Sequence, residues 1–243
     1  MPRRAALGVI PARYGASRFP GKPLASLWGK PLIQHVWERA RGIAGLDALV
    51  VATDDERIAS AAREFGAEVE MTSANCPSGT DRVAEVARRR PEAEVVVNLQ
   101  GDEPELDAAA VDSLVAGMRA DPGIRMATLA HPEPDARVLA SEHVVKVEVD
   151  AEGFALYFSR RDPASRHARG VLLRHIGVYG FARDLLLEFA SWPPGNRERL
   201  ERLEQLRALE RGVRIRVFPS AAASAGVDTP EELAALEKRG PSR

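Results

Sequence analysis

Cysteine is nearly absent from this sequence, because Cys76 is the single one among 243 residues. An internal disulfide is therefore excluded, and such usage is typical of a reducing compartment, so we expect a cytoplasmic location. The five histidines form neither a His-Glu-x-x-His pattern nor a Cys/His cluster with the spacing of a zinc site. We therefore expect no zinc in this chain.

A surplus of charge of either sign is also missing. Lys and Arg number 34 and Asp and Glu number 35, which gives a net charge of −1. A domain dedicated to nucleic acid is basic as a whole, so we expect no nucleic-acid partner. The apolar runs are far shorter than a bilayer span, and the first of them is interrupted at Pro11. The sequence therefore predicts neither a signal peptide nor membrane insertion.

What is present is a regular alternation of apolar runs and amphipathic segments. The runs that we predict to be buried strands lie at 5–10, 48–53, 94–100 and 126–130. Between them, apolar residues recur at helical spacing, with helix starts near Pro31 and Asp55. This order is typical of βαβ units. It predicts an α/β fold with a Rossmann-like, mostly parallel sheet flanked by helices.

The second half of the chain has a different pattern. Two β-rich segments, 144–150 and 155–160, flank a turn and predict a hairpin, which adds a smaller β-rich section. A strand at the edge of the sheet is predicted over 213–217. A helix is predicted over 196–211, and the apolar residues of its core stripe are Leu200, Leu203, Leu206 and Leu209.

The loop after the first strand combines cations with turn-forming residues. Arg13, Arg18 and Lys22 lie there together with Gly15 and Gly21. Such a loop at the carboxyl end of a parallel strand offers backbone N–H groups and positive charge, which suits a polyphosphate. It matches neither G-x-x-x-x-G-K-[ST] nor G-x-G-x-x-G, so a dinucleotide-dependent dehydrogenase is not predicted. The alternative interpretation is a solvated basic surface loop.

Asp102 directly follows the clearest predicted strand, 94–100. Ligands of open α/β sheets bind at the carboxyl ends of the strands. Mg²⁺ takes one or two carboxylates and completes its shell with phosphate oxygens and water, so Asp102 is the first candidate ligand. Glu103 and Glu105 could serve instead. The alternative is an aspartate that bonds its own turn.

Five segments carry a resemblance to a known family. They are I-P-A-R-Y-G-A-S-R-F-P-G-K-P-L at 10–24, S-G-T-D-R at 78–82, Q-G-D-E-P at 100–104, L-E-Q-L-R at 203–207 and G-V-D-T-P-E-E at 226–232. In these segments the chain resembles the cytidylyltransferases that activate acidic sugars with CTP. The resemblance implies one nucleotidyltransferase domain over 1–243. Its nucleotide-binding core would span about 1–130 plus 213–243, and a section for sugar binding and dimerisation about 131–212.

The resemblance also implies roles for single residues. Those expected to bind the nucleotide are Ala12, Arg13, Ser17, Arg18, Lys22, Ser78, Gly79, Arg82 and Gln100. Those expected to bind the sugar acid are Gln100, Arg160, His175, Tyr179, Glu204 and Gln205. The residues expected to be catalytic are Arg13, Lys22, Asp102 and Asp228, of which Asp102 and Asp228 would bind Mg²⁺.

Several of these positions have simpler interpretations from the residues alone. Asp228 or Thr229 can cap the last helix, and the capping and metal roles could be shared. A lone histidine in a strand, such as His175, is usually a structural hydrogen-bonding group. Glu204 can form a solvated pair with Arg207 on the surface of the helix.

The implied reaction joins CTP to 3-deoxy-D-manno-octulosonate (Kdo), giving CMP-Kdo and pyrophosphate for lipopolysaccharide biosynthesis by a homodimer. The alternatives are the same reaction on another 2-keto-3-deoxy sugar acid (8-amino-Kdo or a sialic acid) and a catalytically silent nucleotide-sugar-binding protein. The segment 161–170 is shorter than in the family and lacks its Ile-Pro. This departure bears on the lid or dimer contacts there and on the sugar preference.

Overall fold

The computed structural model describes residues 3–15, 18–161, 171–223 and 226–241. Two sequence predictions fall outside these ranges: the role of Ser17 and most of the shortened loop, of which residues 162–170 are not described. The strands within the described ranges are β1 (Ala6–Ala12), β2 (Ser26–Leu27), β3 (Lys30–Pro31), β4 (Ala48–Thr53), β5 (Glu68–Met71), β6 (Val95–Asn98), β7 (Met126–His131), β8 (Lys146–Val149), β9 (Ala155–Ser159), β10 (Val171–Ala182) and β11 (Ile215–Pro219).

The helices alternate with these strands in the first half of the chain, and a short 3₁₀ helix at Lys22–Leu24 follows β1. They are α1 (Leu32–Ala40), α2 (Glu56–Glu64), α3 (Gly79–Arg89), α4 (Ala108–Ala120), α5 (Ala136–Ala140), α6 (Arg183–Ser191), α7 (Asn196–Glu201), α8 (Leu206–Glu210) and α9 (Pro230–Arg239). Asp55 caps α2 and Ser78 caps α3, in agreement with their residue types. Over the described ranges, none of these helices has the length and the apolar character needed to cross a membrane.

Nine strands of the described ranges form one sheet, and seven of them follow the order β11-β7-β10-β6-β1-β4-β5. Strands β6, β1, β4 and β5 form a parallel block, and β11 is parallel to β7 at the opposite edge. Strand β10 runs antiparallel between β6 and β7. The predicted α/β fold with a mostly parallel central sheet is therefore confirmed.

The predicted hairpin is formed by β8 and β9, which pair antiparallel. Its turn contains Gly153, whose φ of 79° lies in the left-handed region that glycine adopts without steric cost. Strand β8 also pairs with β10, so the hairpin extends the central sheet through a strand that lies inside it. The boundaries predicted for the sugar-binding section stay a prediction.

Apolar side chains cover both faces of the sheet. On one face, Val36 of α1 and Leu114 of α4 pack in a single cluster with strand residues such as Ile10. On the other face, Val86 of α3 and Phe189 of α6 belong to a second cluster. Burial of strands on both faces explains why their sequences are continuous apolar runs rather than alternating ones.

The continuous helix predicted over 196–211 is wrong. Helix α7 ends at Glu201, because Arg202 takes a left-handed conformation with φ 56° that breaks the helix, and α8 begins only at Leu206. Leu200 is consequently 61% exposed rather than part of a core stripe, whereas Leu203 is buried. The break reorients the segment that carries Glu204 and Gln205.

Candidate active site

A cavity of about 310 Å³ opens at the carboxyl ends of β1 and β6. The loop after β1, the start of α3 and the loop after β6 form its walls, which is where ligands of such sheets bind. All of the predicted nucleotide-binding residues that the structure describes line it: Ala12, Arg13, Arg18, Lys22, Ser78, Gly79, Arg82 and Gln100. Asp102 and Asp228 line the same cavity.

The ammonium group of Lys22 lies at the centre of a cluster of oxygen atoms. It donates hydrogen bonds to Asp102 Oδ2 at 2.6 Å, to the carbonyl oxygen of Val227 at 2.8 Å and to Asp228 Oδ1 at 3.3 Å. The guanidinium of Arg18 lies 3.0 Å from Asp228 Oδ2. Three segments distant in sequence thus place two carboxylates and one carbonyl around a single cation.

The start of α9 settles which residue caps this helix. The Thr229 side chain accepts a hydrogen bond from the backbone N–H of Glu232, whose carboxylate in turn accepts from the backbone N–H of Thr229. This reciprocal arrangement is a capping box. Because Thr229 supplies the cap, both carboxylate oxygens of Asp228 are directed at Lys22 and Arg18.

The start of α3 connects the cavity to the segment after the helix break. Ser78 Oγ donates to one carboxylate oxygen of Glu204 at 3.0 Å, and Thr80 Oγ1 donates to the other at 2.6 Å. Burial raises the pKa of the Glu204 carboxyl. Glu204 therefore joins α3 to the segment before α8, and the solvated pair with Arg207 is not its main environment.

Arg82 is almost completely buried beneath the first cavity, with 3% of its surface exposed. Its guanidinium donates to Thr72 Oγ1 and lies 3.1 Å from Asp54 Oδ1. Buried guanidinium groups require such partners. Arg82 thus ties α3 to the ends of β4 and β5 while one part of it lines the cavity wall.

A second cavity, of about 750 Å³, adjoins the first. Five of the predicted sugar-binding residues line it: Gln100, Arg160, His175, Tyr179 and Gln205. Glu204 does not line it and contacts Ser78 and Thr80 instead. The two cavities have three lining residues in common: Gln100, Asp102 and Asp228. A ligand in one cavity would therefore meet a ligand in the other beside these residues.

His175 belongs to a hydrogen-bonded group in the wall of the second cavity. Its Nε2 atom lies 2.9 Å from the Tyr179 hydroxyl and 3.0 Å from Thr128 Oγ1. Burial, and next the positive charge of Arg160, lower the pKa of His175 to about 3. Burial also raises the pKa of Tyr179 well above its ordinary value. At neutral pH both side chains are uncharged and act as hydrogen-bonding groups.

Sequence reasoning missed several groups of the site. The hydroxyl of Thr128 belongs to an apolar strand, and no sequence signal distinguishes it. Val227 lies inside the G-V-D-T-P-E-E match, but its contribution is a backbone carbonyl oxygen, which its residue type does not indicate. Thr80 lies inside the S-G-T-D-R match, so its proximity to Ser78 could have indicated a role. Gln100 was predicted, but its side-chain hydrogen bond to the carbonyl oxygen of Gly177 at 2.8 Å was not, because Gly177 lies on the antiparallel strand β10, distant in the sequence.

Comparisons with known proteins agree with this geometry. The family model described as cytidylyltransferase matches residues 7–215. The 3-deoxy-manno-octulosonate cytidylyltransferase of Geobacter sulfurreducens is 48% identical over 238 residues, with coverage of 93% of this chain and 95% of that protein. The protein of the same name from Anaeromyxobacter sp. strain Fw109-5 is 54% identical over 236 residues, with coverage of 95% and 94%.

A solved structure gives the same result at the level of the fold. The structure of CMP:2-keto-3-deoxy-manno-octonic acid synthetase complexed with CTP matches with a TM-score of 0.91 and 45% identity. The match covers 97% of this chain and 98% of that one. With a family model over most of its length and relatives at about half identity, this chain belongs to the cytidylyltransferase family.

Proposed function

We propose that this chain transfers CMP from CTP to Kdo, giving CMP-Kdo and pyrophosphate. The observation that carries the proposal is the junction of the two cavities at Gln100, Asp102 and Asp228. The smaller, cation-lined cavity suits a nucleoside triphosphate, and the larger cavity, with Arg160 and Gln205 in its wall, suits a polyhydroxylated acid. The relatives at 48% and 54% identity are named for Kdo and for no other sugar acid.

The reaction would take place where the two cavities adjoin, between the sugar acid in one and the α-phosphate of CTP in the other. The anomeric hydroxyl oxygen of the sugar forms a bond to the α-phosphorus, and the bond between that phosphorus and the bridging oxygen of the β-phosphate breaks. Pyrophosphate leaves with the electron pair, and the hydroxyl proton passes to solvent. Such a transfer depends on positioning and on neutralisation of charge more than on covalent help from the protein.

Cationic residues of the first cavity would supply that neutralisation. Lys22 and Arg13 are in a position to bind the phosphates of the leaving group, and Arg18 supports the loop through Asp228. Lys22 would exchange its carboxylate partners for phosphate oxygens when the nucleotide binds. Gln100, held by the Gly177 carbonyl, lines both cavities and can contact both substrates.

We also propose that Asp102 and Asp228 bind Mg²⁺. The residues fit such an ion, because two carboxylates and the carbonyl oxygen of Val227 already surround one cation, the Lys22 ammonium. Oxygen donors of this kind are those that Mg²⁺ prefers. A bound Mg²⁺ would neutralise phosphate oxygens and lower the pKa of the attacking hydroxyl.

Charged and neutral polar groups line the second cavity together: its arginines are Arg160, Arg174 and Arg239, and its carboxylates are Asp102, Glu103, Asp228 and Glu232. Arg160 can bind the carboxylate of the sugar acid, while Gln205, His175 and Tyr179 offer donors and acceptors for its hydroxyl groups. Glu204, whose side chain is 32% exposed, would act on the sugar acid through Ser78 and Thr80.

The cellular context is part of the same proposal. We place the enzyme in the cytoplasm as a supplier of CMP-Kdo for lipopolysaccharide, which agrees with the single cysteine. We further propose a homodimer formed through the β8–β9 hairpin and the start of β10, where Leu156 of β9 and Val171 of β10 are 43% and 62% exposed. Light scattering should then give twice the 26.4 kDa mass of one chain, and a monomer at micromolar concentration would contradict this part.

The substrate assignment is tested by pyrophosphate release from CTP and Mg²⁺ with Kdo, 8-amino-Kdo and a sialic acid in parallel. We expect the highest kcat/KM with Kdo. Preference for another acid would change the assigned substrate but not the type of reaction. The segment 161–170 would then be the first candidate for the cause of the different sugar preference. Binding of CTP without release with any acid would support the silent binding protein instead.

A further inference from the structure

Glu201, the last residue of α7, is a carboxylate buried to 4% exposure. The Tyr157 hydroxyl donates to its Oε1 atom at 3.2 Å, and Ser159 Oγ donates to its Oε2 atom at 3.2 Å. The backbone N–H of Arg160 donates to the same Oε2 atom at 3.3 Å. Burial of a carboxylate is costly unless donors of this kind surround it. One side chain thus joins α7 to the end of β9.

The two segments that Glu201 connects each continue to a residue that lines the second cavity. On one side, the chain turns at Arg202 and continues to Gln205, which is buried and lines the cavity. On the other side, the side chain of Arg160 lines the same cavity. Glu201 therefore fixes the distance between two residues of the cavity wall without belonging to the wall itself.

A second buried side chain holds Arg160 from the opposite direction. Lys146 of β8 is 1% exposed, and its ammonium donates to the carbonyl oxygens of Ser141 and Arg160. The backbone N–H of Arg160 is thus bound by Glu201 and its carbonyl by Lys146. Both backbone groups of Arg160 are thus fixed where the residue lines the cavity, and its positive charge contributes to the lowered pKa of His175.

We propose that Glu201 is a positioning residue for the sugar acid. It holds the backbone of Arg160 at a fixed distance from Gln205, so that a guanidinium and an amide meet the carboxylate and the hydroxyl groups of one ligand. The proposal rests on the proposed function, because it assumes that the second cavity binds the sugar acid. The hydrogen-bond partners of Glu201 lie on the sugar side, so its loss should affect the sugar acid and spare CTP.

The test compares Glu201→Ala and Glu201→Gln with the matched control Glu198→Ala. Glu198 lies on the same helix and binds Arg207 and the backbone N–H of Gly195 instead. We expect Glu201→Ala to raise the KM for Kdo by roughly ten- to a hundredfold, with the KM for CTP changed less than about twofold. The amide of Glu201→Gln can still accept from Ser159 and Arg160, so most of the affinity should return.

Glu198→Ala should lower the melting temperature without changing the KM for Kdo. An unchanged KM for Kdo in folded Glu201→Ala, or an equal rise in Glu198→Ala, would overturn the proposal. If Glu201→Ala does not fold, the double variant Tyr157→Phe/Ser159→Ala removes two of the three donors. The same selective rise, at smaller size, is then expected, and no rise would overturn the proposal.

Amide exchange separates this proposal from the proposed function. If the wild-type chain turns over no sugar acid, the proposed function fails, and the exchange rate of residues 157–161 still decides the positioning role. Faster exchange there in Glu201→Ala than in Glu198→Ala supports the role. Equal exchange in the two variants would overturn it.

Discussion

Lys22 connects the two carboxylates of the candidate site through a single ammonium group. Its ammonium is 2.6 Å from Asp102 and 3.3 Å from Asp228, and 14% of the side chain is exposed. In this state it compensates two carboxylates that would otherwise repel one another. The two carboxylates are therefore held together by Lys22, which under the proposed function would lower the cost of assembling the reactive arrangement.

The carboxylate of Asp102 should be indispensable for turnover. We expect Asp102→Asn to lower kcat by at least about a hundredfold, because an amide supplies neither the charge nor the ligand strength for a cation beside the phosphates. Asp112→Asn is a matched control, since Asp112 accepts hydrogen bonds from the backbone N–H groups of Ala44 and Gly45 away from both cavities. Pyrophosphate release and thermal unfolding measure the two effects.

Normal turnover in folded Asp102→Asn would remove this residue from the metal site. A loss of the same size in Asp112→Asn would show that the assay reports general damage to the fold. The melting temperature of Asp102→Asn should stay within a few degrees of the wild type, because the exchanged group is partly solvated.

His175 should make stability depend on pH on the acid side. Its pKa is about 3 in the folded chain against an ordinary value of 6.5, so the unfolded chain binds more protons between these values. The free energy of unfolding therefore falls as the pH drops below about 6.5, by up to about 2 kcal/mol at pH 5. His175→Gln keeps a polar side chain and removes the titration.

Urea unfolding at pH 7 and pH 5 checks this expectation. In the wild type the difference between the two free energies should be larger than in His175→Gln by about 1 to 2 kcal/mol. Equal differences would mean that His175 titrates normally in the wall of the cavity. Because the wild type and His175→Gln are compared under the same conditions, the other titrating groups affect both free energies in the same way.

At the residue scale, the sequence predicted cavity-lining residues where a charged residue type follows a predicted strand. Cationic Lys22 and acidic Asp102 follow strand ends, and their grouping in one cavity could be anticipated. The choice between Asp228 and Thr229 as the helix cap could not, because both satisfy the capping preferences. Only the direction of the Asp228 carboxylate, toward Lys22 and Arg18, separates the two.

The elements of the first half follow their sequence patterns closely, whereas the region around α7 and α8 does not. A leucine stripe at helical spacing predicted one helix over 196–211. The break at Arg202 places Leu200 in solvent and buries Glu201, which reverses the expectation for both residues. Hydrogen bonds from β9 determine this arrangement, and contacts so distant in the chain are invisible to a local pattern.

The loop after β6 approaches the backbone of strand β1 more closely than a side chain would allow. A Cβ atom on Gly101 would lie 2.8 Å from the carbonyl oxygen of Pro11, which is backbone and cannot turn away. We expect Gly101→Ala to push the loop after β6 away from the end of β1 and raise the KM for CTP several-fold, with a fall in melting temperature. Gly42→Ala, in an exposed loop after α1, serves as the control, because its Cβ would lie farther, at 3.2 Å, from the nearest atom, the carbonyl oxygen of Arg39.

Steady-state kinetics and thermal unfolding of both variants measure this prediction. Unchanged CTP affinity in Gly101→Ala would mean that nucleotide binding does not depend on the spacing between the loop after β6 and the end of β1. A similar loss in Gly42→Ala would point to the backbone effect of alanine rather than to the contact with Pro11.

At the scale of the whole molecule, the parallel block of the sheet and the antiparallel strand β10 position different parts of the candidate site. The parallel strands β1 and β6 place the loop with Lys22 and the loop with Asp102 at their carboxyl ends, where ligands of open α/β sheets bind. Strand β10 brings His175 and Tyr179 beside them and carries the β8–β9 hairpin with Arg160. The alternation of apolar runs predicted the first part, but insertion of β10 between β6 and β7 depends on long-range pairing that residue patterns do not encode.

The most direct test follows the phosphorus atoms of CTP by ³¹P NMR in the presence of the chain, Mg²⁺ and Kdo. If the two cavities form one reaction centre, the three CTP signals should disappear together. One phosphodiester signal and pyrophosphate should replace them in equal amounts, and CTP should stay intact when Kdo is left out. Unchanged CTP, or hydrolysis to CMP without a sugar ester, would contradict the account.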